Sequence, residues 1–267
     1  MAKKEISINK KKLSFTITGE GPVALFIHGF GEHASVWRNQ TSFLQNSFRL
    51  IIPDLPGSGD SEMIDDMSME GLAESMCEIL NHEKIERCTI IGHSMGGYVL
   101  LAFVEKYAQR LNAFGLFHST TFADTEEKKA TRRKGITFIQ THGAFEFLKN
   151  TTPNLFSPST QTERPELIED QIQTLSGFTN EALIAYYEAM IQRPDRTNVM
   201  RSTSLPVLLI AGNFDTAIPL NDCLKQTHLP DLSFFYLLQN SGHMGMLEEA
   251  DKANHILEDF LQKASFH

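Results

Sequence analysis

The residues most able to do chemistry here are a serine between two glycines, an aspartate past an apolar run, and a histidine after Ser-Gly. The serine is Ser94, in Gly92-His93-Ser94-Met95-Gly96-Gly97. The aspartate is Asp215, in Gly212-Asn213-Phe214-Asp215, and the histidine is His243, in Ser241-Gly242-His243. A serine hydroxyl is a poor nucleophile until a base takes its proton, and an imidazole base needs a carboxylate to fix its tautomer and hold its charge. Gly-x-Ser-x-Gly alone is a weak signal. It gains weight because Ser94 follows an apolar run and precedes a helical pattern, predicted over roughly 96–108. A strand–turn–helix of this kind holds the serine in a strained conformation, with its hydroxyl clear of the sheet. The chain then packs too closely for a Cβ two residues before or after it, which Gly92 and Gly96 satisfy.

Attack on a carbonyl also makes an oxyanion, which needs preorganised donors. The Met95 amide, next after the nucleophile, is the first expected donor. The second is expected from His28-Gly29-Phe30-Gly31, where the glycines let the backbone turn inward and Phe30 offers its amide. His28 is expected to brace that loop by a hydrogen bond. The His93 side chain must point away from the serine hydroxyl, so it is expected to pack or to floor the pocket.

The elements that carry these residues are short. Residues 5–18 alternate apolar and polar around Asn9-Lys10-Lys11-Lys12 and read as a β-hairpin. Six apolar runs follow, at 23–27, 50–52, 88–91, 113–117, 207–211 and 234–238, each too short for a helix. Helical periodicity separates most of them, as in Met69, Leu72, Ala73, Met76, Ile79 and Leu80. Strands apolar on both faces and separated by helices predict a mostly parallel sheet covered on both sides. With the hairpin the count is eight strands. Ser94, Asp215 and His243 then all lie just past strand ends, where open α/β sheets gather reactive groups. Residues 120–204 break the rhythm. They contain no convincing strand and are too long for a loop, so they are expected to form a helical insertion lying over a core built from 1–119 and 205–267.

Composition narrows the partners. Of 267 residues, 24 are Lys or Arg and 33 Asp or Glu, a net charge of −9, which repels nucleic-acid phosphate and anionic lipid. Cys77, Cys88 and Cys223 are odd in number and lack Cys-x-x-Cys spacing, so neither a disulfide framework nor a zinc site is read. No signal peptide or membrane-spanning run is read, and a cytoplasmic protein is expected. No metal or organic cofactor is implied, and the oligomeric state is not legible.

His-Gly-Phe-Gly, Pro53-Asp54-Leu55-Pro56-Gly57-Ser58-Gly59-Asp60-Ser61, Gly-His-Ser-Met-Gly-Gly, Gly-Asn-x-Asp and Ser-Gly-His occur in that order between residues 28 and 243. In this the chain resembles the α/β-hydrolase superfamily. The resemblance implies Ser94 as nucleophile, His243 as base, Asp215 as acid, the Phe30 and Met95 amides as oxyanion hole, and residues 120–204 as a lid. It gives Asp54 and Asp60 bracing roles. Serine at the elbow argues against the aspartate-bearing epoxide hydrolases and dehalogenases, and leaves carboxylesterases, thioesterases, carbon–carbon bond hydrolases, haloperoxidase-like enzymes and acyltransferases.

The expectation is a carboxylesterase acting on a small or medium acyl ester. A thioesterase or carbon–carbon hydrolase on the same triad, or a ligand-binding receptor on the same fold, stays open. Trp37, His118, Phe122, Phe138, Tyr186 and Met244 are the candidates for touching substrate. Arg132, Arg133 and Lys134 could meet a carboxylate or a carrier phosphate, though a charge run on a helix usually faces solvent.

Overall fold

The computed structural model describes residues 1–265. The chain opens with strands β1 (Ala2–Ile8) and β2 (Lys11–Thr18), paired antiparallel. Asn9 and Lys10 between them have φ of +49° and +68°, the left-handed pair that a two-residue hairpin turn needs to follow strand twist. Then come β3 (Val23–Ile27), β4 (Arg49–Pro53), β5 (Cys88–His93), β6 (Leu111–Phe117), β7 (Val207–Gly212) and β8 (Ser233–Leu238). All eight form one sheet in the order β1-β2-β4-β3-β5-β6-β7-β8. β2 also pairs antiparallel with β4, while β3 to β8 pair parallel throughout. β2 is therefore the single strand running against the rest.

Helices α1 (Arg38–Leu44), α2 (Met69–His82) and α3 (Met95–Tyr107) fall between the early strands. Six more, α4 (Glu126–His142), α5 (Ala144–Thr151), α6 (Pro158–Glu163), α7 (Pro165–Gln173), α8 (Asn180–Gln192) and α9 (Thr197–Ser202), separate β6 from β7. No strand lies in that stretch. The polar stretch 151–165 contains a 3₁₀ turn and α6, whose N-cap Ser157 accepts from the Thr160 amide. Last come α10 (Leu220–Leu224), α11 (Gly245–Glu248) and α12 (Ala250–Ala264).

Period-two alternation splits each strand between two cores. Leu25, Ile27, Ile90, Leu116 and Leu209 pack with α2 and α3. Ala24, Phe26, Ile91, Phe117 and Ile210 pack with the apolar stripe of α12, Ile256, Leu257, Phe260 and Leu261. The buried side chains Ile139, Phe147, Leu183 and Tyr186 of α4, α5 and α8 are continuous with the first core. The inserted helices are thus fastened to the sheet's own apolar interior. No helix among the described residues is long and apolar enough to cross a membrane.

Candidate active site

Ser94 sits between the end of β5 and the start of α3 with φ +52° and ψ −117°. That conformation strains any residue with a Cβ and turns the side chain out of the chain's path. The neighbouring glycines are what allow it. A Cβ on Gly92 would run into the Gly96 carbonyl, and one on Gly96 would lie 2.5 Å from the carbonyl oxygens of both Ile27 and His28. One on Gly97 would strike the Ser119 side chain. Helix α3 therefore starts hard against β3 and β6.

Asp215 follows β7 in a tight turn. Its Oδ1 accepts from the Ala217 and Ile218 amides at 2.9 and 2.8 Å. Its Oδ2 lies 2.8 Å from His243 Nδ1, and His243 Nε2 lies 2.8 Å from Ser94 Oγ. Because the carboxylate accepts only, Nδ1 carries the ring proton and Nε2 is left to accept from the serine hydroxyl. Burial alone would raise the Asp215 carboxyl, but the neighbouring His243 and His118 rings outweigh it and hold the group well below the usual carboxylate range. Burial alone would lower His243, and the Asp215 charge reverses that, so His243 is raised above 6.5. The arrangement can move a proton from Ser94 to His243 and stabilise the imidazolium that results.

The loops are tied from behind. His243 donates its amide to the Leu155 carbonyl at 2.6 Å. The buried Glu248 carboxylate accepts from the amides of Gly242 and Ser157 at 2.8 Å each. His93 Nδ1 lies 2.9 Å from Glu32, which also accepts from the Gly29 amide at 2.7 Å, and His93 Nε2 lies 3.0 Å from the His243 carbonyl. The Phe30 amide has no acceptor among the described residues. That of Met95 is the first of α3, one of the four N–H groups that no carbonyl of the helix can reach. His28 donates through Nδ1 to the Gly29 carbonyl and accepts from the Leu55 amide at 2.9 Å, so it braces the loop. Asp54 accepts from the Ala34 and Asp60 amides, and Asp60 is paired with Lys3.

A cavity of about 180 Å³ opens over Ser94 and His243. Phe30, Leu148, Leu175, Tyr187, Met190 and Met244 supply much of its apolar wall. Of the six side chains expected to touch substrate, Met244 lines this cavity and five do not. Trp37 is fully buried against Phe26 and Phe117 on the α12 side of the sheet. Tyr186 is also fully buried and donates its hydroxyl to the Pro56 carbonyl at 2.6 Å. Phe138 borders a separate hollow with Lys134 and Phe147. Phe122 takes part through its carbonyl, which accepts from Arg193.

His118, with φ +49°, is fully buried behind Asp215. Its Nδ1 is 3.2 Å from Asp215 Oδ2, close enough to feel the charge but too far off axis for a hydrogen bond. Burial pushes it down to about 4. His118, Asp215 and His243 lie within metal-ligand reach of one another. The Asp215 oxygens are already taken by two amides and His243, and His243 Nε2 by Ser94, so the set is built for proton transfer.

Sequence reasoning missed Glu32, Gln171 and Glu248, and left Arg132, Arg133 and Lys134 open between meeting an anion and facing solvent. Arg132 and Gln171 line the cavity, while Arg133 and Lys134 are exposed. What separates Arg132 from its neighbours is its buried partner Asp124, and burial is not visible in sequence.

Known proteins share this fold. A family model described as the alpha/beta hydrolase fold matches residues 22–136. A thermophilic esterase from Thermogutta terrifontis, solved with malate bound, superposes with a TM-score of 0.92 at 29% identity, covering 99% of each chain. The chain has the α/β-hydrolase fold. It is also 24% identical over 255 residues to 3-oxoadipate enol-lactonase 1 of Acinetobacter baylyi, covering 94% of each chain. It is 27% identical over 268 residues to a 2-hydroxy-6-oxononadienedioate/2-hydroxy-6-oxononatrienedioate hydrolase of Paraburkholderia phymatum, with 94% of this chain and 91% of the relative covered.

Proposed function

We propose that the protein is a serine hydrolase that cleaves a small or medium acyl ester through Ser94, His243 and Asp215. The observation that carries this reading is the unbroken relay of two 2.8 Å contacts from Asp215 to His243 to Ser94 beneath a cavity with a partly apolar wall. Ser94 Oγ attacks the ester carbonyl carbon as its proton passes to His243 Nε2. The carbonyl oxygen takes the electron pair and is met by the Phe30 and Met95 amides. The imidazolium, held by Asp215, then returns the proton to the departing alkoxide, leaving an acyl group on Ser94. A water deprotonated by His243 attacks that acyl group, and collapse of the second tetrahedral intermediate frees the acid and restores the serine.

Residues 120–204 act as the lid in this scheme: Arg132, Leu148, Thr152, Leu175 and Met190, all from that stretch, wall the cavity. An engineered cavity of about 150 Å³ takes up benzene, so the volume here suits a short acyl or aryl group. The esterase and enol-lactonase relatives support an ester or lactone substrate. The three buried free cysteines suit a reducing compartment, which we take to be the cytoplasm.

The test is hydrolysis of p-nitrophenyl esters from two to twelve carbons by the native protein and by Ser94→Ala. Turnover that peaks at short chains and falls by about three or more orders of magnitude in the variant is expected. Full activity in Ser94→Ala would refute the serine mechanism. No turnover of any ester would move the assignment to carbon–carbon or thioester cleavage, or to binding alone.

A further inference from the structure

We propose that Arg132 makes this site selective for an acyl ester or lactone carrying a second, anionic carboxylate, an inference that rests on the Ser94 hydrolase reading. Arg132, on α4, is the only lysine or arginine lining the cavity among the described residues. Its Nε and Nη2 reach Asp124 at 2.5 and 3.3 Å. Asp124, whose side chain is fully buried, is also met by Arg193 Nη1 at 2.9 Å. One carboxylate therefore faces two guanidinium groups, and one positive charge is left over.

That surplus belongs to Arg132. Arg193 is consumed by the fold: it donates to the Met190 and Phe122 carbonyls and lies 3.7 Å above the Tyr98 ring, with its side chain 3% exposed. Arg132 lies against the Tyr187 ring at 5.6 Å and keeps 19% of its side chain open. Its Nη1 makes no hydrogen bond among the described residues, so a donor and a net charge face the cavity. The other charged group at the wall, Glu32, is occupied by His93 and the Gly29 amide.

A second observation points the same way. Gln171, on α7, lines the same cavity, is 2% exposed, and has an amide oxygen with no partner. Burying an unpaired amide is costly unless something arrives to pair with it. The two ends of the amide are interchangeable by a flip, so Gln171 can donate to a carboxylate as readily as accept. Beside the cavity's apolar wall, one guanidinium and one free amide are polar groups able to set a ligand's orientation. A guanidinium there recognises a planar anion.

The test compares p-nitrophenyl hydrogen glutarate with p-nitrophenyl pentanoate, which match in chain length and differ in the terminal carboxylate. The native protein is expected to favour the charged ester in kcat/KM by about tenfold or more. In Arg132→Gln that ratio falls by about tenfold or more, and Arg132→Lys restores part of it. A ratio below one in the native protein, or an unaltered ratio in Arg132→Gln, overturns the proposal. Calorimetry on Ser94→Ala with monomethyl glutarate and methyl pentanoate reads the subsite without turnover. Tighter binding of the charged ester supports the proposal even if the hydrolase reading fails. Equal binding overturns it even if ester hydrolysis stands.

Discussion

His93 Nε2 lies 3.0 Å from the main-chain oxygen of His243, a residue 150 positions further along the chain. The residue before Ser94 thus holds the loop that carries His243, the base of the proposed mechanism. The other face of the ring, Nδ1, meets Glu32 at 2.9 Å, and Glu32 in turn holds the Gly29 amide in the loop that offers Phe30. Both ring nitrogens thus face oxygen atoms of other loops. Burial alone would raise the Glu32 carboxyl, but the His93 charge outweighs it and keeps the group below its ordinary range. Glu32 and His93 together clamp the loops of Ser94, His243 and Phe30 in register. In the proposed mechanism neither touches the reacting atoms, so both are positioning residues.

Removing that clamp should slow chemistry more than binding. A lost buried hydrogen bond costs about 1–3 kcal/mol, which corresponds to roughly a tenfold to hundredfold loss in kcat if it is felt in the transition state. His93→Ala is expected to show that loss with KM nearly constant and a lower melting temperature. Steady-state kinetics beside a thermal melt decide it. A lower melting temperature with kcat intact would leave His93 a purely structural residue.

The pH profile follows from the Asp215–His243 pair. His243 acts as a base only when neutral, and its folded value is raised above 6.5. The rate kcat/KM should therefore climb with pH along a single limb whose midpoint lies above 6.5. Asp215→Asn removes the charge that raises His243, so the residual activity should rise at lower pH than in the native protein. A limb that stays in place would mean that the titrating group is not His243.

Much of this was legible because it is local. Each parallel strand is apolar on both faces and runs into a glycine, proline, histidine or polar residue, so the strands and the three loops at their ends could be read in order. Helix α3 starts at Met95, one residue earlier than the pattern suggested. What could not be read is which way a large side chain points once helices cross. Trp37 and Tyr186 are aromatic and near the right loops in sequence, yet one packs under the sheet and the other bonds to Pro56. Arg132 looked like its exposed neighbours, because the carboxylate that turns it inward lies eight residues away and is itself buried.

His118 should make the protein sensitive to mild acid. Burial holds it at about 4 against 6.5 in the unfolded chain. Between those values the unfolded state binds a proton that the folded state refuses, so stability falls as pH drops from 6.5 towards 4. Glu32 and Asp215, whose folded values are lowered, lose their contribution only below the ordinary carboxylate range. His243, whose folded value is raised, loses its contribution only as pH rises above 6.5. From pH 6.5 to 5 the slope belongs to His118 and to His28, which burial also holds below its ordinary value. Urea unfolding at both pH values should show a drop in the native protein that His118→Asn reduces, and equal drops in the two proteins would assign the slope to groups other than His118.

The elbow makes a steric prediction that two alanine substitutions can separate. A Cβ on Gly96 would sit 2.5 Å from the Ile27 and His28 carbonyl oxygens, and both are backbone atoms that cannot swing aside. Gly177, in the exposed turn before α8, has nothing within 4 Å of where its Cβ would go. Gly96→Ala should therefore destabilise by more than about 4 kcal/mol, the range kept for such collisions, and displace Ser94 from His243. Gly177→Ala should stabilise by about 0.4–1 kcal/mol, because it only narrows the unfolded ensemble. Urea unfolding of both variants beside the native protein makes the comparison. A mild cost at Gly96 would mean that β3 and α3 can move apart, and the tight approach would then not be what holds the serine in its strained turn.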